Sequence, residues 1–410
     1  MENLSELMRE YASLVIKKGL NIRPGRKLVI NCSIDSAEFA RCCADAAYDE
    51  GCSEVIMKWS DDYLTRAKYL YADPAVFDEE KKWEKEFYDY CLEQNVAWLA
   101  IHADDPDNLK GVEPDRIRRN QMARSHIMAD FRKAEMKDEF PWCVVSVPTP
   151  GWVRAVFPDL EPEEGTARLW KEILAACRVE MGQSVENWEK HTRELQHHVE
   201  ILNRYNFKSL KYTNSLGTDF EVELPEGHYW AGGTEKTLAG LEFSANIPTE
   251  EVFTLPKRDA SNGVIYASKP LSLDGNVIRD FCFVVKDGRI TEVHAKEGEE
   301  VLRNAIGIDE GASYFGEVAL VPYDSPISRS GVLFYNTLFD ENASCHFAFG
   351  AAYPCIRGSE KMSEEQLRKL GMNSSSTHVD FMVGTSDLSI IGTTQDGEKI
   401  TVFENGNFAF

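Results

Sequence analysis

The composition of this 410-residue chain is that of a globular protein, with 43% hydrophobic, 11% aromatic and 28% charged residues. These values exclude wholesale disorder and fibrous structure, and the length exceeds what one hydrophobic core usually serves, so we expect two domains. The 68 acidic residues outnumber the 45 basic ones and give a net charge of −23. Such a surface repels phosphate backbones and anionic lipid, so we expect neither nucleic acid nor membrane as a partner.

The cellular location is suggested by what the sequence lacks. No run approaches the ~18–20 uninterrupted apolar residues of a membrane span, and the stretch from Met1 to Glu6 has no basic start or apolar core of a signal peptide. The ten cysteines are scattered, with no CxxC pair, a pattern typical of reduced thiols. We therefore expect a cytoplasmic protein.

The first half of the chain predicts alternating helices and strands. Apolar residues at helical spacing from Leu4 to Val15 predict a helix that stops at Gly19. Other predicted elements are strands at 27–31, 54–58, 96–101 and 142–147, and helices at 36–50, 116–137 and 165–205, the last broken near Gly182. Strand–helix–strand units imply a parallel sheet, so we predict a doubly wound α/β domain over residues 1–205. The loop after the first strand has no glycine-rich phosphate motif, which argues against a nucleotide cofactor.

After residue 206 the pattern changes to short alternating runs bounded by Gly, Asp and Asn. The predicted strands are 210–213, 220–224, 263–267, 276–286, 290–296 and 400–403. Asp287-Gly288 between two of these runs is a hairpin signal. We therefore predict a mostly β C-terminal domain over residues 206–410, with the domain boundary near residue 205.

Several chemically active side chains of this second half stand in apolar surroundings. His378 and Asp380 are two residues apart in a predicted strand and would project from the same face. An ionised carboxylate inside an apolar run, such as Glu317, costs several kcal/mol unless a cation or a hydrogen-bond network compensates it. Taken singly, each residue also has a structural explanation, such as a buried histidine bonded to a carbonyl. Together the candidates suit two divalent ions of the Zn, Co or Mn type: Glu251, Glu317, Glu341, His346, His378 and Asp380.

The blocks around these residues resemble the aminopeptidase T and aminopeptidase S family of dinuclear metallo-aminopeptidases. The similar blocks lie at 248–254, 315–321, 325–328, 334–346, 351–354 and 376–384, with 121–125 and 148–152 in the first half. The resemblance spans almost the whole chain. It implies an N-terminal α/β domain, a C-terminal metal-binding domain, short peptide substrates and a homodimer with an enclosed site.

The resemblance also implies individual roles within the candidate set. Glu251 would bridge the two ions, and Glu317 would ligate metal, act as general base, or do both. Tyr353 would donate a hydrogen bond to the developing oxyanion. A metal-activated water would then attack the first peptide carbonyl.

Two other functions remain open at this stage. One is a dinuclear hydrolase of another amide or ester, which would not require a free α-amino group. The other is a non-catalytic metal-binding scaffold, against which the presence of all six ligand candidates and Tyr353 argues. A second histidine group, formed by His191, His197 and His198, lies on a strongly polar predicted helix, and we interpret it as a solvated helix face.

Overall fold

The computed structural model describes residues 3–273 and 276–410, so Met1 and Glu2 of the N-terminal stretch lie outside the described residues. The chain separates into two compact units, Met1–Lys190 with Thr234–Pro248, and His191–Gly233 with Thr249–Phe410. Our predicted boundary near residue 205 falls at the end of the long helix Ser184–Tyr205, whereas the division lies inside that helix. The reason is packing, because Leu195, Val199 and Leu202 of its second part belong to the core of the second unit.

The elements alternate between helix and strand in the first half and are mostly strands in the second. The helices are α1 Leu4–Leu14, α2 Ala37–Asp49, α3 Asp62–Tyr71, α4 Lys82–Glu93, α5 Pro114–Ile127, α6 Ala129–Glu135, α7 Pro150–Val156, α8 Pro162–Ala176, α9 Ser184–Tyr205, α10 Glu299–Ala305, α11 Pro326–Ser330, α12 Thr337–Asp340 and α13 Glu364–Lys369. Within the described ranges, none of them combines the length and apolar character that crossing a membrane requires.

The strands differ in burial, since Asp219–Glu223 alternates between buried and more exposed positions whereas Ala97–Ile101 is buried throughout. They are β1 Lys27–Ser33, β2 Glu54–Ser60, β3 Ala97–Ile101, β4 Trp142–Val145, β5 Ser209–Thr213, β6 Asp219–Glu223, β7 Glu235–Lys236, β8 Glu242–Phe243, β9 Val252–Thr254, β10 Ser261–Tyr266, β11 Leu271–Leu273, β12 Asn276–Lys286, β13 Arg289–Glu297, β14 Phe315–Leu320, β15 His346–Gly350, β16 His378–Met382, β17 Ser389–Thr393, β18 Lys399–Glu404 and β19 Asn407–Phe408.

The first unit contains the predicted parallel sheet, in the order β2-β1-β3-β4. Strand β3 is buried at every position, as expected for a strand with both faces covered. The α/β prediction is therefore confirmed. The predicted helix 116–137 is two helices, α5 and α6, and helices α3 and α4 were not predicted.

The second unit is built on an antiparallel sheet in the order β11-β12-β10-β6-β5-β17-β18-β19, with β13 paired to β12, and on a four-stranded sheet in the order β16-β15-β14-β9. Asp287 and Gly288 both have positive φ, 48° and 77°, which is the backbone of the predicted two-residue hairpin turn. Aromatic rings from both sheets meet in one core, where Phe220 lies 5.4 Å from Phe347 between ring centroids. The four-stranded sheet therefore packs one face into this core, and its opposite face lies outside the core.

Candidate functional site

The opposite face of the four-stranded sheet carries the predicted site residues. Side chains alternate along a strand, so β15 directs Phe347 and Phe349 into the aromatic core and His346 to the other side. Strand β16 likewise directs Phe381 into the core and presents His378 and Asp380 together. The prediction that these two side chains share a face is confirmed.

A bulge in β14 turns Glu317 toward this face. The register with β15 shifts between Phe315 and Glu317, so that both Phe315 and Val318 reach the core. Gly316 is the residue within the shift, and a Cβ there would lie 2.1 Å from the backbone oxygen of Ala351. Only glycine fits this approach, and the bulge is what allows a carboxylate to point away from an apolar strand.

Small residues stand opposite the polar side chains in the register of the sheet. Ala348 is the partner of Glu317 on one side and of Asp380 on the other, and Gly350 is the partner of His378. A residue larger than alanine at position 348 would stand between the two carboxylates. The register of the sheet therefore brings the acidic and imidazole groups to one region of the same face.

The side chains converge into two groups that share one residue. Glu251, Glu317 and His346 form the first group, and Glu317, His378 and Asp380 form the second. Oε1 of Glu317 lies 3.5 Å from Nε2 of His346, while Oε2 of Glu317 lies 3.4 Å from Nε2 of His378. Each oxygen of the Glu317 carboxylate therefore faces a different group.

These separations fit shared metal ions better than direct ion pairs. Nε2 of His346 lies 3.2 Å from Oε2 of Glu251, and Nε2 of His378 lies 3.3 Å from Oδ1 of Asp380. Charge-assisted hydrogen bonds are usually about 2.7–2.9 Å long, whereas two ligand atoms on one tetrahedral ion at about 2.1 Å are about 3.4 Å apart. Oε2 of Glu251 is also buried, and its contact with Nε2 of His346 does not have hydrogen-bond geometry, which suits a ligand atom aimed at a cation.

The two histidines are oriented by backbone carbonyls. Nδ1 of His378 lies 2.8 Å from the oxygen of Ala351, and Nδ1 of His346 lies 3.3 Å from the oxygen of Ser344. A carbonyl oxygen can only accept, so Nδ1 donates and Nε2 is the atom that faces the carboxylates. Such backbone contacts are the usual way in which metal-binding imidazoles are held.

The electrostatics of the cluster are those of mutually dependent buried charges. Burial by itself raises the pKa of Glu317, but hydrogen bonds from His346 and His378 lower that pKa to about 2. Burial lowers the pKa of His346, yet the adjacent Glu251 and Glu317 raise it well above its ordinary value. Burial, opposed by the nearby His346, leaves the pKa of Glu251 raised. Groups so strongly coupled are typical of functional sites.

Glu341 and Tyr353 lie at the margin of this cluster. Among the described residues, Glu341 is in neither of the two groups. It is nevertheless close, because burial and the charges of Glu251 and Asp380 raise the pKa of Glu341 well above its ordinary value. The Tyr353 ring lies 5.7 Å from the His378 ring between centroids and is 38% exposed. A substrate could therefore reach the phenol of Tyr353.

Our interpretation of His191, His197 and His198 as a solvated helix face is wrong for His191 and His198. His191 is only 5% exposed, and its Nε2 lies 2.7 Å from the backbone oxygen of Thr249. The His198 ring stacks on Phe408 at 3.9 Å between centroids, with burial lowering the pKa of His198 to about 4. Only His197 is exposed. The helix α9 looked polar in sequence because its buried face includes these imidazoles.

Two residues near the site were missed in the sequence. Asn342 is fully buried and contacts the backbone beside Glu251, and Asp309 holds the loop before β16 through Ser375 and Ser376. Asn342 lies in a block that the family resemblance covers, which is a signal that could have identified it. Nothing in the local sequence distinguishes Asp309 from other loop carboxylates.

Comparison with known proteins relates the whole chain to one group of peptidases. The family model described as thermophilic metalloprotease (M29) matches residues 4–408. Aminopeptidase AmpS of Bacillus subtilis is 42% identical over 411 residues and aminopeptidase 2 of Geobacillus stearothermophilus is 41% identical, each with 100% of this chain and at least 99% of the relative covered.

The structural comparison agrees. Wild-type AmpT from Thermus thermophilus matches with a TM-score of 0.92 at 37% identity, with 100% of this chain and 99% of that chain covered. A 2,5-dihydroxypyridine dioxygenase from Pseudomonas putida matches with a TM-score of 0.54 at 10% identity, with 98% of this chain and 97% of that chain covered, which shows a shared fold alone. With a family match over almost its entire length and close relatives that are aminopeptidases, this chain belongs to the M29 family of metallo-aminopeptidases.

Proposed function

We propose that this protein removes the N-terminal residue from short peptides at a site that holds two divalent ions, Zn, Co or Mn. The observation that carries the proposal is the position of Glu317 between two groups, with one carboxylate oxygen toward His346 and the other toward His378. A carboxylate placed in this way can bind one ion through each oxygen. Glu317 would therefore help to hold both ions, whereas Glu251, to which the resemblance assigned the bridging role, belongs to one group only.

The remaining residues divide between the two positions. Glu251 and His346 would complete the first, and His378 and Asp380 the second, with Glu341 as a further carboxylate at the margin. When bound, two such ions lower the pKa of a water molecule and polarise a carbonyl oxygen. Carboxylate and imidazole donors suit Zn, Co and Mn.

The protein groups supply the proton transfers and the orientation. Because Glu317 would help to hold both ions through its two oxygens, another carboxylate at the site would take the proton of the attacking water and return it to the leaving amine. Tyr353, exposed at the side of His378, would donate its phenolic hydrogen to the oxygen of the scissile carbonyl as negative charge develops there. The acidic surroundings also favour a substrate with a free α-ammonium group, which is the property that makes the enzyme an aminopeptidase.

We further propose that the enzyme is a cytoplasmic homodimer. All ten cysteines are free, which suits a reducing compartment. The dimer follows from the family resemblance, and light scattering of the purified protein tests it. A molar mass close to twice the 46.4 kDa of the chain is expected.

Hydrolysis of leucyl-p-nitroanilide tests the activity. The protein is stripped with a chelator, the metal content is measured, and Zn, Co or Mn is added back in steps with an N-acetylated substrate in parallel. Activity that saturates at two ions per chain and is confined to the free-amine substrate is the expected result. Cleavage of both substrates would favour a broader amide or ester hydrolase, and saturation at one ion would contradict the dinuclear site.

A further inference from the structure

A single buried side chain joins the two segments that carry Glu251 and Glu341. Asn342 is 0% exposed and follows Glu341 in a short 3-10 turn. Its Oδ1 accepts a hydrogen bond of 2.7 Å from the backbone N–H of Glu250, and its Nδ2 donates to the backbone oxygen of Leu338 at 2.9 Å. The amide of Asn342 thus bonds on one side to the chain beside Glu251 and on the other to its own turn.

Further contacts hold Asn342 itself in place. The hydroxyl of Ser325 donates to the backbone oxygen of Asn342 at 3.2 Å, and Nδ2 of Asn342 also lies 3.5 Å from Oε1 of Glu341. On the other side of the segment, Nε2 of His191 lies 2.7 Å from the oxygen of Thr249. Both contacts hold the backbone before Glu251, and the contact with Asn342 also connects it to the turn of Glu341.

From this arrangement, and resting on the function proposed above, we propose that Asn342 is a positioning residue that sets the separation of the Glu251 and Glu341 carboxylates and thereby the affinity of the site for divalent ions. Oδ1 and Nδ2 of Asn342 bond to the backbone of Glu250 and Leu338, which are not candidate ligands. Its effect is exerted through the backbone of residues 250–251 and through the turn that begins at Glu341. Changes in residues that orient metal ligands commonly reduce metal affinity about 10–100-fold.

The chain offers a matched control for the loss of such an amide. Asn203 makes the same pair of bonds, since its Nδ2 donates to the oxygen of Trp230 at 3.0 Å and its Oδ1 accepts from the N–H of Trp230 at 3.0 Å. Neither Asn203 nor Trp230 contacts a candidate ligand through these bonds. Asn203→Leu therefore removes one donor and one acceptor without touching the site.

The test compares Asn342→Leu and Asn203→Leu with the wild type. Each protein is stripped of metal, and Zn affinity is measured by competition with a chelator dye, while the Co(II) form is followed by its visible absorption. Urea unfolding of the metal-free proteins measures stability. The expected result is a 10–100-fold loss of Zn affinity and a changed Co(II) spectrum for Asn342→Leu alone, with stability reduced in both variants.

The possible results distinguish the positioning role of Asn342 from the proposed function. Wild-type Zn affinity and an unchanged Co(II) spectrum in Asn342→Leu would overturn the positioning role while leaving the proposed function intact. A wild type that binds none of Zn, Co and Mn and gains no activity from them would instead refute the proposed function. If Asn342→Leu does not fold, Asn342→Ser, which is smaller and keeps a hydroxyl acceptor for the Glu250 N–H, is judged by the same two measurements.

Discussion

The substitution Gly316→Ala tests whether the bulge in β14 is what positions Glu317. A Cβ at this position would lie 2.1 Å from the oxygen of Ala351 and 2.5 Å from the oxygen of Gly350. Both obstacles are backbone atoms and cannot rotate away. The backbone around Gly316 must therefore move, and Glu317, the next residue, must move with it.

The size of the displacement follows from the distances. Ordinary contact begins at 3.4 Å, so the Cβ must gain 3.4 − 2.1 = 1.3 Å from the Ala351 oxygen. Overpacking of this kind costs about 1–3 kcal/mol of stability. A misplacement of about 1 Å at a reacting group can reduce turnover by about 100-fold. We expect both effects, together with weaker metal binding, because Glu317 belongs to both ligand groups.

The assay measures urea unfolding, metal content after dialysis and kcat/KM on leucyl-p-nitroanilide. Gly307→Ala is the control, because a Cβ there would meet its nearest backbone oxygen at 3.2 Å and Gly307 lies outside the site. We expect that control to change stability by less than about 1 kcal/mol and to leave activity unchanged. Retention of two ions and of wild-type kcat/KM in Gly316→Ala would refute the reasoning about the bulge.

Three further changes address the site and its support. Glu317→Gln should reduce bound metal from two ions to at most one and lower kcat/KM at least about 100-fold, because the charge common to both groups is lost; metal analysis and kinetics measure this. Tyr353→Phe should lower kcat about 100-fold with metal content and fold unchanged, since a hydrogen bond to the oxyanion is removed. Asp309→Asn should lower the free energy of unfolding by about 1–2 kcal/mol at pH 7, after allowance for solvent screening of the carboxylate. Burial by itself would raise the pKa of Asp309, but hydrogen bonds, led by those from Ser376, lower that pKa to about 2. The ionised carboxylate therefore stabilises the fold above the unfolded pKa near 3.8, and this contribution is lost as the pH falls toward 2.

Controls separate these effects from general damage. Tyr323→Phe alters a tyrosine with the same 38% exposure as Tyr353 and should leave kcat unchanged. Asp396→Asn alters an exposed carboxyl, so its unfolding free energy should track the wild type between pH 7 and pH 3. An unchanged kcat in Tyr353→Phe would show that the phenol of Tyr353 takes no part in catalysis. A stability difference for Asp309→Asn that stays constant down to pH 3 would contradict the assigned pKa.

The sequence by itself predicted many of the local elements and the candidate residues of the site. The parallel sheet was predictable because its strands are continuous apolar runs separated by helical patterns, and the Asp287-Gly288 turn because its backbone favours those residues. His378 and Asp380 could be paired because strand alternation is a local rule. The six candidate ligands were found through their residue types and a family resemblance, both of which are properties of the chain.

The tertiary structure decided how those residues relate to one another. Whether Glu317 or Glu251 lies between the two groups depends on a register shift at Gly316 and on the packing of four strands, none of which local spacing determines. The division of α9 between two units and the burial of His191 depend in the same way on contacts between residues far apart in the chain. Asn342 acquires its importance only when Glu250, 92 residues away, is brought to its side. Patterns in sequence report which face a residue occupies, whereas distances across a site are set by strands that meet only in the folded protein.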